Sequence, residues 1–258
     1  MSEVELLFLG TGTSAGIPMI GCRCAVCTSD DSHDKRTRPS VMISYRQTSV
    51  LVDAAPELRL QCLANSVERI DAIVFTHAHA DHIMGLDDVR RFNTIRGGPL
   101  DVWADTPTHE ILGRCFAYAF KQPQINGIYR PQLDQRVIEG RFKINGVEWT
   151  PVPLMHGDMR ILGFRVGRVA YCTDVSAIPD ESYALLEGLD ALVIDGLQFR
   201  RHPTHFSIEQ ALEAAGRIGA RQTYLTHIAH AVSHQKTNAT LPLGVQLAYD
   251  GLRVRGGL

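Results

Sequence analysis

No apolar run in the sequence approaches the roughly 20 residues that a membrane-spanning helix needs, which excludes a helical membrane protein. Positive charge is not in excess either. The formal net charge is -2 at pH 7, so nothing argues for the long nucleic-acid partner that a basic stripe would announce. A basic start followed by an apolar stretch is also missing. Met1–Leu9 carries two glutamates and passes straight into a strand-like run, so a cytoplasmic location is the expectation. There is no repeat at a solenoid period, no low-complexity tract and no linker, and one domain over residues 1–258 is expected.

Cysteine is sparse and unevenly spread, which speaks against a disulfide framework. Of the six, Cys22, Cys24 and Cys27 form a cluster, while Cys62, Cys115 and Cys172 lie scattered in apolar surroundings and read as small core residues. Three thiolates within six residues suit zinc, which takes four ligands in a tetrahedron, so a fourth is wanted; His230 is the candidate.

What the chain does contain is a series of short apolar runs bounded by Gly, Pro or Asp. Val4–Leu9, Val41–Tyr45, Val50–Val52, Ala72–Phe75, Leu100–Trp103, Val147–Val152, Leu162–Val166, Val169–Cys172, Ala191–Ile194 and Thr223–Leu225 read as strands. Ile83–Phe92, Pro107–Ala119, Ser182–Leu189 and Ile208–Ile218 read as helices, the last with Ser207 and Gln210 placed for a capping box. Pro123–Arg141 is the least regular stretch and reads as a long loop or cover. Hairpins in the first third followed by mixed strands and helices predict a layered α+β or α/β fold.

Several of these runs end in a metal-capable side chain: Val50–Val52 at Asp53, Ile73–Thr76 at His77, Pro151–Met155 at His156, Val169–Thr173 at Asp174 and Tyr224–Thr226 at His227. Strands in one sandwich would bring them to one edge. The densest signal is His77-Ala78-His79-Ala80-Asp81-His82. In an extended segment His77 and His79 share a side, and Asp81 and His82 sit at the start of the following helix. Such a set suits two metal ions a few ångströms apart.

Thr76–His82 with Gly85 following resembles the signature of the metallo-β-lactamase superfamily, and His156, Asp174 and His227 follow in that family's order. The resemblance spans essentially the whole chain and implies an αββα sandwich. It implies one ion held by His77, His79 and His156, another by Asp81, His82 and His227, and Asp174 bridging the two. It also implies an orienting role for Asp53 behind a ligand imidazole. The opening Leu9-Gly10-Thr11-Gly12-Thr13-Ser14-Ala15-Gly16-Ile17-Pro18 and the Cys22–Cys27 cluster are similar to the phosphodiesterase branch of that superfamily. There the matching cysteines and a histidine matching His230 hold a structural zinc. Thr204-His205-Phe206-Ser207 resembles a motif whose histidine lies near the scissile phosphate.

The implied activity is hydrolysis of a small phosphodiester, cyclic ribose phosphates and nucleotides included, with two zinc or manganese ions activating water. Catalytic roles fall to Asp81, Asp174 and His205. Dimers are common in the family, so a homodimer is the implied assembly, with no membrane or long nucleic-acid partner. Three other readings stay open. A thioester or lactam hydrolase would use the same metals, but its family lacks the cysteine cluster. A tRNA 3′-processing nuclease shares the core motif, but the basic protruding arm usual in that group is missing. A non-catalytic cofactor-biosynthesis protein similar to pyrroloquinoline quinone biosynthesis protein B shares the N-terminal pattern. Arg200 and Arg201 are candidates for a phosphate contact, and Gly10–Gly16, lacking the lysine of a phosphate loop, reads as a strand-to-loop turn. His202 and His234 read as surface residues.

Overall fold

The short apolar runs, buried on both faces in the central strands, form two mixed β-sheets. In the computed structural model, which describes residues 3–120 and 129–258, the first sheet begins with β1 (Glu3–Gly10), β2 (Ser40–Tyr45), β3 (Thr48–Val52), β4 (Ala72–Val74), β5 (Leu100–Ala104) and β6 (Leu133–Val137). The second holds β7 (Phe142–Ile144), β8 (Val147–His156), β9 (Met159–Val166), β10 (Val169–Cys172), β11 (Ala191–Asp195), β12 (Gln222–Thr226) and β13 (Val245–Leu247). A last strand, β14 (Arg253–Gly257), returns to the first sheet beside β1. The strand orders are β14-β1-β2-β3-β4-β5-β6 and β13-β12-β11-β10-β9-β8-β7.

Three apolar layers hold the sheets and helices together. Leu6, Phe8, Trp149, Phe164 and Tyr171 interdigitate between the sheets. Leu51, Leu58, Phe75 and Leu112 join the outer face of the first sheet to the helices Leu58–Ala64 and Thr106–Cys115. Leu192, Ile194, Ala211 and Ile218 join the second sheet to the helix Ile208–Ile218. The result is the αββα sandwich expected from the sequence. Ser207 and Gln210 form the reciprocal capping box, and Gly219 closes the same helix with φ 69°.

Strand direction decides where the chemistry goes. β3, β4, β5 and β6 run parallel, as do β10, β11, β12 and β13. β8 is antiparallel to β9, and β9 to β10, so β8 and β10 run in the same sense. In the second sheet the carboxyl ends of β8, β10, β11 and β12 therefore share one edge, and in the first those of β3 and β4 do.

Elements the sequence signalled poorly have identifiable causes. The segment expected as one helix over Ile83–Phe92 is broken into Ala80–Ile83, a 3₁₀ turn Leu86–Val89, and a helix Arg90–Arg96. Gly85 sits at the break, where its amide donates to Ala54 O at 2.9 Å and a Cβ would fall 1.9 Å from Ala55 O. The chain after the ligand run thus docks its backbone on the exit of β3, which a continuous helix would prevent. Pro107–Ala119 is helical only over Thr106–Cys115, and Ser182–Leu189 shortens to a turn of helix at Asp180–Tyr183 and a 3₁₀ turn at Ala184–Leu186. Of the stretch Pro123–Arg141, residues 123–128 lie outside the described residues, and the rest includes β6, an edge strand whose polar Asp134, Gln135 and Arg136 hide it from an apolar pattern. Cys62 and Cys172 are buried as expected, whereas Cys115 is exposed at the end of its helix. No helix of the described residues is long and apolar enough to cross a membrane.

Candidate metal centre

Three strand exits carry backbone strain at the residues that face the site. Asp53 and His227 follow β3 and β12 directly, Asp174 follows β10 after Thr173, and the three have φ of 61°, 59° and 58° in that order. The left-handed region is costly for residues with a Cβ, on the order of 1–3 kcal/mol each, and such strain concentrates at functional sites. Here it turns each side chain back over the sheet edge instead of letting it run on outward.

The structure brings all seven expected ligands together in two overlapping groups. His77, His79, His156 and Asp174 offer donor atoms that all lie within 4.8 Å of one another, and so do Asp81, His82, Asp174 and His227. Asp174 belongs to both, as a bridging ligand would. Its Oδ1 lies 3.3 Å from both His82 Nε2 and His227 Nε2, and its Oδ2 lies 3.8 Å from His77 Nε2. Asp81 Oδ2 stands 3.5 Å from His82 Nε2 and 3.6 Å from His227 Nε2. These spacings exceed those of good hydrogen bonds and match neighbouring ligands around an ion with bonds of about 2.1 Å. Nε2 of His77, His82 and His227 is buried with no hydrogen-bond partner. Orphaned buried nitrogens aimed at one point are what a cation would satisfy, so the residues fit a pair of divalent ions.

Charge is divided unevenly across the centre. Burial drives His77, His79 and His156 below the usual histidine range, which keeps these imidazoles neutral and ready to ligate. Burial opposes protonation of His227 too, but Asp174, Asp81 and Asp195 outweigh it and lift this imidazole to about 9. The group around Asp81 is therefore rich in carboxylate and calls for positive charge.

Behind the ligands, Asp53 acts on two of them. Its Oδ2 accepts from His82 Nδ1 at 2.8 Å and from Thr76 Oγ1 at 2.8 Å, and its Oδ1 accepts from Thr76 N at 2.9 Å. With its proton given to Asp53, the Thr76 hydroxyl is left to accept from His77 Nδ1 at 3.0 Å. Both imidazoles are thereby fixed with Nε2 bare toward the centre. His156 is fixed likewise, with Nδ1 donating to Thr204 O at 2.6 Å.

His205 faces the same space, its ring stacked on His227 with centroids 4.7 Å apart and 4.6 Å from that of His156. Its Nδ1 lies 2.6 Å from Oδ2 of fully buried Asp195, the last residue of β11. The sequence reading missed Asp195. The signal was available, since Ala191–Ile194 is an apolar run ending in a carboxylate, as those before Asp53 and Asp174 are. Burial holds Asp195 well above the carboxylate range, and burial and His227 push His205 down to about 4.

The cysteine cluster forms a separate group. Sγ of Cys22 and Cys24 each lie 3.4 Å from His230 Nδ1, and Cys27 completes a set whose ligand atoms lie within 4.8 Å of one another. A hydrogen bond from the Cys27 amide, then His230, brings the Cys24 thiol down to about 6, favouring the thiolate that zinc binds. His230 lies three residues beyond His227, and Gly12 pairs with Ile228 between them, so this cluster fastens the N-terminal loop beside the metal centre.

Other expectations fare differently. Arg200 and Arg201 are exposed on the loop before His205, and His202 is exposed with its ring 5.2 Å from that of His205. His234 is buried, not on the surface: it accepts from Arg36, itself 2% exposed, at 3.1 Å, and its amide donates to Asp34. Arg36 also donates to Thr11 Oγ1 and Ala248 O, a buried knot that the sequence reading did not find.

Comparison with known proteins agrees with this geometry. Residues 48–228 match the β-lactamase superfamily domain. A crystal structure of a diphosphatase from the PhnP family is 43% identical, superposes with a TM-score of 0.93, and covers 99% of this chain and 98% of its own. The zinc-bound PqqB of Methylobacterium extorquens has the same fold at 19% identity and a TM-score of 0.78, covering 97% of this chain and 99% of its own. An octanoyltransferase of Porphyromonas gingivalis is 36% identical over 252 residues, or 96% of this chain, but the chain spans about half of that protein, 51%.

Proposed function

This chain belongs to the β-lactamase superfamily, within its PhnP family, and we propose that it hydrolyses the phosphodiester or diphosphate linkage of a small molecule. The likeness to a PhnP-family diphosphatase at 43% identity supports a phosphorus centre. The observation that carries the reading is the buried Asp195–His205 pair standing over a complete set of seven metal-capable ligands.

His77, His79 and His156 would hold one divalent ion and Asp81, His82 and His227 the other, with Asp174 shared. When bound, such ions supply positive charge for the phosphoryl oxygens and lower the pKa of an attacking water. The protein's own groups do the rest. Asp53 and Thr204 hold the ligand imidazoles in the tautomer that leaves Nε2 bare. Asp195, kept protonatable by burial, shares one proton with His205 along the 2.6 Å contact. With that proton on Asp195, as burial favours, His205 accepts it at Nδ1 and its neutral ring carries hydrogen on Nε2, which faces the site. It can pass the Nε2 proton to the departing oxygen as the P–O bond breaks, while the Asp195 proton moves to Nδ1. Zinc and manganese both suit the ligands around Asp174, and zinc suits the cysteine cluster.

Turnover of bis(p-nitrophenyl) phosphate, a cyclic nucleotide and a nucleoside diphosphate by metal-loaded protein, followed by phosphorus NMR, tests the reading. Hydrolysis of at least one is expected. Inertness toward all three by fully loaded protein, with cleavage of a thioester or lactam, would overturn it.

A further inference from the structure

A cavity of about 470 Å³ opens at the far end of the second sheet, near the β2–β3, β7–β8 and β9–β10 turns. That volume lies in the range of small-molecule sites. On β8 its wall residue Thr150 lies six positions before His156, about 20 Å along the strand, so the cavity is distinct from the metal centre.

Arginines outnumber acidic groups in its wall. Arg46 at the tip of the β2–β3 turn, Arg141 ahead of β7 and Arg165 in β9 all line it. Two acidic groups share the lining, Glu148, which stands 3.4 Å from Arg141, and the backbone carboxylate of Leu258. Neither Arg46 nor Arg165 pairs with a carboxylate among the described residues. Arg165 is half-buried and held by carbonyls, with Nε donating to Gly167 O and Nη1 to Leu185 O, both at 2.8 Å. Those bonds fix the planar fork in place without neutralising it. Burial, and then the neighbouring Arg141 and Arg168, push its guanidinium below the usual arginine range against the pull of Glu187. Like charges crowded round a cavity repel one another until an anion enters. Guanidinium groups suit phosphate in particular, through paired N–H donors. The wall also includes apolar Val147, Ala184 and Leu185.

We infer that this cavity binds a small phosphate-bearing molecule, its phosphate held by Arg46, Arg141 and Arg165 and its organic part lying on Val147 and Leu185. The site is independent of the hydrolytic reading and stands or falls separately.

Calorimetric titration with inorganic phosphate and with ribose 5-phosphate tests this. It is run on metal-loaded protein and on an Asp174→Asn variant, whose metal centre is disabled. The Asp174→Asn protein is expected to bind one equivalent of either ligand, with ribose 5-phosphate the tighter by threefold or more. Arg46→Ala and Arg141→Ala remove exposed side chains and leave the fold intact; each is expected to weaken binding at least fivefold without changing turnover at the metal centre. Arg165→Gln is expected to abolish it. Unchanged affinity in Arg46→Ala and Arg141→Ala, or no binding to the Asp174→Asn protein, would overturn the site. Equal affinity for the two ligands would overturn the place given to the organic part.

Discussion

His82 Nδ1 and Asp53 Oδ2 lie 2.8 Å apart with both side chains fully buried, and Thr76 extends the same carboxylate's reach to His77. One residue that touches no substrate thus sets the tautomer of an imidazole in each half of the metal centre. Asp53→Asn replaces one acceptor oxygen with a donor and breaks this arrangement. Metal affinity is expected to fall about 10- to 100-fold, read by competition with a chelator, with the circular dichroism of the loaded protein unchanged.

The Asp195–His205 pair makes a prediction about leaving groups. Asp195→Asn removes the acidic proton that would replace the one His205 gives up. Turnover is expected to fall by roughly 10²-fold or more for a substrate with an alkoxide leaving group. For a p-nitrophenyl ester, whose leaving group needs no proton, the loss should be small. Equal losses on both, measured as kcat, would place His205 outside proton transfer.

The cysteine cluster should matter for stability more than for chemistry. His230→Ala is expected to remove one zinc per chain and to leave the two ions of the metal centre in place. A loss of about 2 kcal/mol lowers the melting temperature by about 4–8 °C in a chain of this size. Metal analysis beside calorimetry separates the two effects.

His234 predicts a pH dependence of stability. Burial, Arg36 and His33 push it from its ordinary 6.5 to about 4, against the pull of Asp31 and Asp34, so the folded protein holds it neutral as the acceptor for Arg36. Tyr249 also packs against its ring. Between those values the unfolded chain binds more protons than the folded one. The contribution is therefore complete above 6.5 and is lost as the pH falls toward 4. His234→Gln should show a smaller fall in melting temperature over that interval than the parent, as followed by calorimetry at matched ionic strength.

How much of this was legible in the sequence depended on whether a residue's role is local. The central strands were readable because both their faces are buried and their runs are continuously apolar, as in Leu51, Val52 and Val193. The edge strands β6 and β14 were not, since their outward positions carry Arg136, Arg253 and Arg255. The seven candidate ligands were found because each ends a strand or lies in the dense run His77–His82. Asp195, Thr76 and Thr204 act on partners set by tertiary structure, and Thr204 contributes only a backbone carbonyl, for which no side chain gives a signal. The Gly85 break was hidden for the same reason: helical periodicity continues across it, and only the approach of Ala55 forbids a Cβ there.

The most direct test of the account pairs metal content with turnover of bis(p-nitrophenyl) phosphate in the parent and in Asp174→Asn. Asp174 is the residue that both halves of the centre share. The account predicts three metals per chain and metal-dependent hydrolysis in the parent. It predicts one metal, retained by the cysteine cluster, and no hydrolysis in the variant, with the fold preserved. Undiminished hydrolysis by a variant lacking the two ions would contradict it.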